Sequence, residues 1–207
     1  MVNYQEAFKR PLQDIKKLLI GIVLCIIPIV NFLAVGYQLF CAKTALKKDY
    51  KLPEWQNWGD LFVKGLLSLI IGVIYAIPLM IVAMFVIGTA IFAYFNQGME
   101  SIMTLITTAG IGMIIFLIIA LLTFYIIPMA IVSYVNNFNF SEAFNFGIVF
   151  KKAFTGKYLI TWILMLLYGI IATVIFSFIP FVGGAIAGFV VGVTAFTAYG
   201  EVFAEIK

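Results

Sequence analysis

The sequence predicts an all-α fold, a polytopic integral membrane bundle of about six membrane helices, some broken by proline, with amphipathic helices at the interface. Composition is the first reason. Apolar residues make up 64% of the chain, charged ones only 11%, and the mean hydropathy is +1.14, whereas a soluble domain is about half apolar and a quarter charged. The second reason is four tracts without a charged residue, Leu18–Ala42, Gly65–Phe95, Ser101–Asn139 and Tyr158–Gly200. Each exceeds the roughly 20 residues that cross a bilayer. The third is the placing of basic residues. Lys9, Arg10, Lys16 and Lys17, then Lys43, Lys47, Lys48 and Lys51, then Lys151, Lys152 and Lys157 flank the tracts, the signature of a cytosolic side. The expectation is one multi-pass domain in the cell membrane with both termini cytosolic.

In chain order, residues 1–17 mix apolar and basic side chains and fit a helix lying on the cytosolic interface. Glu6 and Asp14 interrupt this basic region and no small-residue cleavage site follows, so the first tract is expected to stay as a targeting signal. Basic clusters flank residues 18–42 on both sides, which favours a helical hairpin turning at Ile27-Pro28-Ile29-Val30-Asn31. Its arms are short, so it is either re-entrant or lengthened by flanking helices; one kinked span is the alternative. Residues 65–95 and 101–136 follow as spanning helices, joined by Asn96-Gln97-Gly98-Met99-Glu100, which carries no positive charge and is placed outside. Residues 137–157 form a second interfacial ramp held inside by three lysines. Residues 158–204 form a second hairpin turning at Pro180-Phe181-Val182-Gly183-Gly184, and Gly184, Gly188 and Gly192 make a small-residue packing stripe along its second arm.

The segment 51–64 is the most distinctive in the chain. Pro53 suits the first turn of a helix, and Trp55, Trp58 and Phe62 then fall at i, i+3 and i+7 on one face. Asp60 lies near the positive helix end, and Lys64 is placed to pair with it one turn later or to reach back to headgroups. Tryptophan favours the membrane boundary. This stretch is therefore expected to be the interfacial ramp by which the chain re-enters the bilayer.

Four prolines, Pro28, Pro78, Pro128 and Pro180, all follow isoleucine at nearly even spacing and are expected to break helices. The outer pair shares the pattern Ile-Pro-x-Val, and the inner pair shares Tyr-x-Ile-Pro-x-x-Ile-Val. Duplication and the sheer abundance of isoleucine both account for this pattern.

Chemistry is sparse. Histidine is absent and the two cysteines, Cys25 and Cys41, lack metal or redox spacing. All the carboxylates border the tracts, so neither a proton relay nor paired catalytic acids are evident. No catalytic, metal or cofactor-binding residue is assigned. The uncharged polar residues within the tracts, among them Asn31, Gln38, Thr104, Thr107, Thr108, Thr161, Thr194 and Thr197, are read as interhelical hydrogen-bonding groups.

Leu52-Pro53-Glu54-Trp55-Gln56-Asn57-Trp58-Gly59-Asp60-Leu61-Phe62-Val63-Lys64-Gly65, with weaker support from Ile27-Pro28 leading to Gly36-Tyr37, resembles domain-of-unknown-function family 4013. The resemblance implies a polytopic membrane protein of archaea or bacteria and carries over no functional residue. The functional expectation is a non-enzymatic membrane scaffold or subunit whose partners are membrane lipids, anionic headgroups included, with a protein partner or a second copy left open and nucleic acid not expected. A small-solute transporter or channel built on the broken helices is the alternative.

Overall fold

The computed structural model describes residues 2–95 and 99–206, with side chains throughout except at 93, 94, 99–106, 108 and 109. The loop expected at Asn96-Gln97-Gly98 and the hydroxyls of Thr104 and Thr108 lie outside the described residues. Eight α-helices follow in order: α1 (Tyr4–Lys9), α2 (Ile15–Ile26), α3 (Asn31–Ala45), α4 (Trp58–Phe95), α5 (Met99–Asn137), α6 (Phe146–Ala153), α7 (Gly156–Ser177) and α8 (Gly183–Glu205). Short 3-10 turns at Arg10–Leu12 and Phe140–Phe144 link them. Among the described residues there is no strand.

Four helices, α4, α5, α7 and α8, are long and apolar enough to cross a membrane. Of the expected six, four stand as candidate spans among the described residues. At 12 and 15 residues, α2 and α3 rise only about 18 and 22 Å, short of a hydrocarbon core of about 30 Å.

The expected proline breaks divide by context. Pro78 and Pro128 lie inside α4 and α5, which run through them without interruption. Proline removes one helical hydrogen bond, but unwinding the flanking turns in lipid would expose several more unsatisfied groups, which costs more. Pro28 and Pro180 stand instead in the turns before α3 and α8. These two turns are alike in detail. The residue after each proline has positive φ, 71° at Ile29 and 66° at Phe181, as in a type II turn. In each, the isoleucine before proline accepts a hydrogen bond from the backbone N–H four residues on, at 3.0 Å (Ile27 from Asn31, Ile179 from Gly183).

The chain divides into two units. One is Gly72–Ile127, the later part of α4 and the earlier part of α5, whose described side chains are largely exposed, Met84, Phe85 and Phe92 among them. The other runs to Ile71 and resumes at Pro128, and it contains the packed core. Within this core α3 is the hub. Ala34, Tyr37, Leu39, Cys41, Ala42 and Ala45 are all fully buried, and α3 packs against α2 and α8, while α8 also packs on α7. Helix α8 is 67% buried over its most apolar stretch, against 6% for α4, which marks it as the central span.

Glycine sets how closely these helices approach. A Cβ at Gly36 would lie 2.0 Å from the Leu61 carbonyl oxygen, and one at Gly65 would lie 2.0 Å from that of Phe32, so α3 and the start of α4 meet backbone to backbone. Gly200 is similarly closed against the Ala42 carbonyl at 2.4 Å. Of the stripe expected at Gly184, Gly188 and Gly192, Gly192 is closed by the Gln38 amide, which a Cβ would meet at 2.3 Å, and the Gly188 carbonyl accepts from Gln38 Nε2 at 3.2 Å, while a Cβ at Gly184 or Gly188 would have nothing within 4 Å.

Alanine should separate these classes. Gly65→Ala is expected to destabilise the folded protein by about 1–3 kcal/mol through overpacking. Gly188→Ala should be neutral or raise stability by up to about 1 kcal/mol, since helix propensity then acts alone. Denaturant unfolding in detergent measures both, and equal effects would contradict the packing described.

Candidate functional site at the lysine-bearing end

The N-terminal segment closes one end of the core. Asn3 caps α1 through its side chain, and its backbone N–H reaches both carboxylate oxygens of Glu201 at 3.0 Å. Tyr4 and Thr161 share a hydrogen bond of 2.9 Å, and the Phe8 ring meets Tyr168 edge-on at 4.8 Å. Arg10 is then carried fully inside. Its guanidinium donates to the Cys41 carbonyl at 2.8 Å, to Thr197 Oγ1 at 3.0 Å, to the Lys51 carbonyl at 2.8 Å and to Thr44 Oγ1. A planar fork can serve two helices and a loop at once, which an ammonium cannot. Arg10 is therefore a crosslink in the core, a role its place in a basic cluster did not reveal.

Glu201 was also missed. It stands at the border of its tract yet is only 1% exposed. Burial together with the nearby Glu201 carboxylate pushes the Tyr50 hydroxyl up to about 12.

The ramp departs from expectation at its start. Pro53 and Trp55 precede the helix, which begins only at Trp58, after Asn57 adopts a positive φ of 54°. The backbone of 51–55 stays out of the helix, with its carbonyls claimed by other segments. Arg10 takes Lys51, Lys17 Nζ takes Leu52 at 3.1 Å and Tyr37 takes Pro53 at 2.9 Å. The Trp55 indole N–H donates in return to the Lys17 carbonyl at 3.3 Å. The Trp55 ring lies flat on Tyr37, with centroids 4.0 Å apart, and stacks on Trp58 at 5.6 Å and Phe189 at 6.2 Å. Phe62 lies apart from this stack, edge-on to Phe32. The expected single aromatic face is thus two separate contacts.

Asp60 and Lys64 pair at 2.6 Å as expected from their spacing. Lys64 also sits over the rings of Phe40 and Phe138, at 4.3 and 3.9 Å, so cation–π attraction holds it in place. A small pocket of about 60 Å³ opens beside this cluster, lined by Tyr37, Phe40, Glu54, Asn57 and neighbours.

Two further basic segments gather at the end of α8. Lys152 Nζ donates to the last carbonyls of that helix, Phe203 at 2.7 Å and Ile206, where a cation is favoured. Burial and the adjacent Lys151 pull its pKa down. Lys48 and Lys157 flank Glu205 at 3.9 and 3.6 Å.

The polar groups within the tracts bond both between helices, as expected, and within them: Gln38 Nε2 donates to the Gly188 carbonyl at 3.2 Å, and Thr161 and Thr197 meet Tyr4 and Arg10. Thr161, Thr194 and Thr197 each donate to the carbonyl four residues back in their own helix, at 2.9, 3.0 and 2.6 Å. No three of His, Cys, Asp and Glu come together among the described residues.

Two measurements test this end of the bundle. Arg10→Lys should cost at least about 3 kcal/mol, because two or more charge-assisted bonds are lost. For Tyr50, a raised folded-state pKa means stability that is complete below its ordinary value of 10.0 and fades as pH rises toward about 12. Tyr50→Phe should therefore flatten the alkaline fall of the melting temperature over that window.

No curated protein and no solved structure gives a significant match to the chain. The family described as "Protein of unknown function (DUF4013)" matches residues 19–181, a stretch that runs from within α2, through the ramp, to the turn before α8. The chain belongs to this family.

Proposed function

We propose that this is a non-enzymatic integral membrane protein that acts through lipid contacts, with its α2–α3 hairpin inserted into one leaflet from the cytosolic side. The length of the hairpin carries the reading. A rise of about 18 Å from the headgroup level ends near the midplane of a core of about 30 Å. The surface of α2 agrees with that depth. Ile15, Leu19, Val23 and Ile26 form an exposed apolar stripe along its outer side, while Gly21 on the inner side rests against Phe189. The tip is apolar as well, with Ile29 69% exposed, although a polar turn would serve better in water. Four spans fix the molecule across the bilayer, and the hairpin adds cross-section to one leaflet only. That asymmetry suits a protein that senses or supports membrane shape, or seats a partner within the leaflet.

A probe at the tip tests the insertion. With Cys25 and Cys41 replaced by alanine and Ile29→Cys carrying a bimane, bromines near the ends of the lipid chains should quench most strongly. Labelling of the same cysteine by an impermeant thiol reagent, from the face opposite the lysines, would mean that the hairpin crosses and would retire the proposal.

A further inference from the structure

Helix α6 carries a ring ladder that is partly exposed at the surface. Phe146, Phe150 and Phe154 fall at i, i+4 and i+8, and their rings stack at 5.9 and 6.1 Å. They are 52, 39 and 63% exposed, and Ile148 adds to the same open surface. The other side of the helix is firmly seated, since Val149 and Ala153 are fully buried. Lys152 ties this side to the end of α8.

Two facts identify what covers the ladder. The first is position. Only Phe154 and Thr155 separate α6 from Gly156, the first residue of the span α7, so the ladder lies within about one helical turn of where the chain enters lipid. The second is charge. Lys151 is exposed on α6, and Lys157 is exposed in the first turn of α7. Lys47 and Lys48 are exposed on the loop that reaches the same Glu205. Glu205 lies no closer than 3.6 Å to any of them, looser than the 2.6–2.7 Å of the pairs Lys64–Asp60 and Lys17–Glu54. Aromatic rings one turn from a span, bordered by incompletely balanced lysines, match the boundary between acyl chains and anionic headgroups.

We propose that α6 is an in-plane anchor that selects anionic phospholipid, its three phenylalanines lying at the acyl boundary and Lys151 and Lys157 holding lipid phosphates. This rests on the membrane reading above but not on the depth of the α2–α3 hairpin. The lysines supply attraction that zwitterionic lipid returns only weakly, while the ring ladder fixes the depth. Lys152 is excluded from headgroup binding because its ammonium is turned onto the α8 carbonyls.

The test uses the full chain in vesicles, with Cys25 and Cys41 replaced by alanine and a bimane at Phe154→Cys. Phosphatidylcholine vesicles contain phosphatidylglycerol at a fixed mole fraction, and bromine is placed on one lipid or the other. Quenching by the brominated anionic lipid should exceed that by the same mole fraction of brominated phosphatidylcholine. Lys151→Gln with Lys157→Gln should reduce the preference by roughly fivefold per lysine, and arginine at both positions should restore it. Equal quenching by the two lipids in the parent, or a glutamine pair that behaves as the parent does, would overturn the headgroup assignment. A probe quenched by aqueous iodide and by neither lipid would overturn the anchor entirely. Measured beside it, the Ile29 probe separates the two readings: a quenched position 154 with a tip that crosses retires the hairpin insertion and supports the anchor.

Discussion

The core depends on how near the backbone of α3 comes to its neighbours. Gly36 and Gly65 let it touch the start of α4, and Gly200 with Gly192 lets it touch α8. In a lipid environment apolar side chains gain little by turning inward, so packing closeness and hydrogen bonds must hold helices together. A short helix has few residues with which to do this. Helix α3 compensates by leaving none of its residues exposed, eight of its fifteen being buried, while longer helices such as α4 leave most of their surface uncovered.

That tight hub explains the arrangement at the lysine-bearing end. A helix of 15 residues soon exposes its terminal carbonyls, and these need donors. The backbone N–H groups of Leu46, Lys47 and Lys48 take those of Ala42, Thr44 and Ala45, and Arg10 adds a donor to Cys41 and others to Thr44, Thr197 and the ramp. Lys152 performs the corresponding service for α8. Charges that flank the membrane tracts therefore divide into two kinds. Some are structural donors consumed inside the fold, and others, such as Lys151, stay free for the surroundings.

The all-helical class, the long tracts and the turn at Pro180 were legible in the sequence because hydropathy over many residues is a strong, additive signal. What escaped was local competition. Pro53 and Trp55 looked like the first turn of a helix, yet Lys17, Tyr37 and Arg10 capture the carbonyls of that stretch, and no propensity reports such partners. The stripe at Gly184 and Gly188 looked like a packing face, whereas the contacts that matter use Gly36, Gly65 and Gly200, whose periodicity within a single helix is unremarkable. The Arg10 role was hidden because one arginine among lysines reads as one more positive charge. Its distinction is geometric, a fork able to serve several acceptors, and in hindsight it is the only arginine in the chain.

The burial of α8 bears on biogenesis. It is the least apolar of the four candidate spans and the most enclosed, so its own affinity for lipid is the weakest while its need for neighbours is the greatest. Helices made earlier can partition on their own hydrophobicity, but α8 gains its place by sliding into a groove already shaped by α2, α3 and α7. Maturation of this protein is thus a cooperative closure in which α8, made after α2, α3 and α7, completes the core they share.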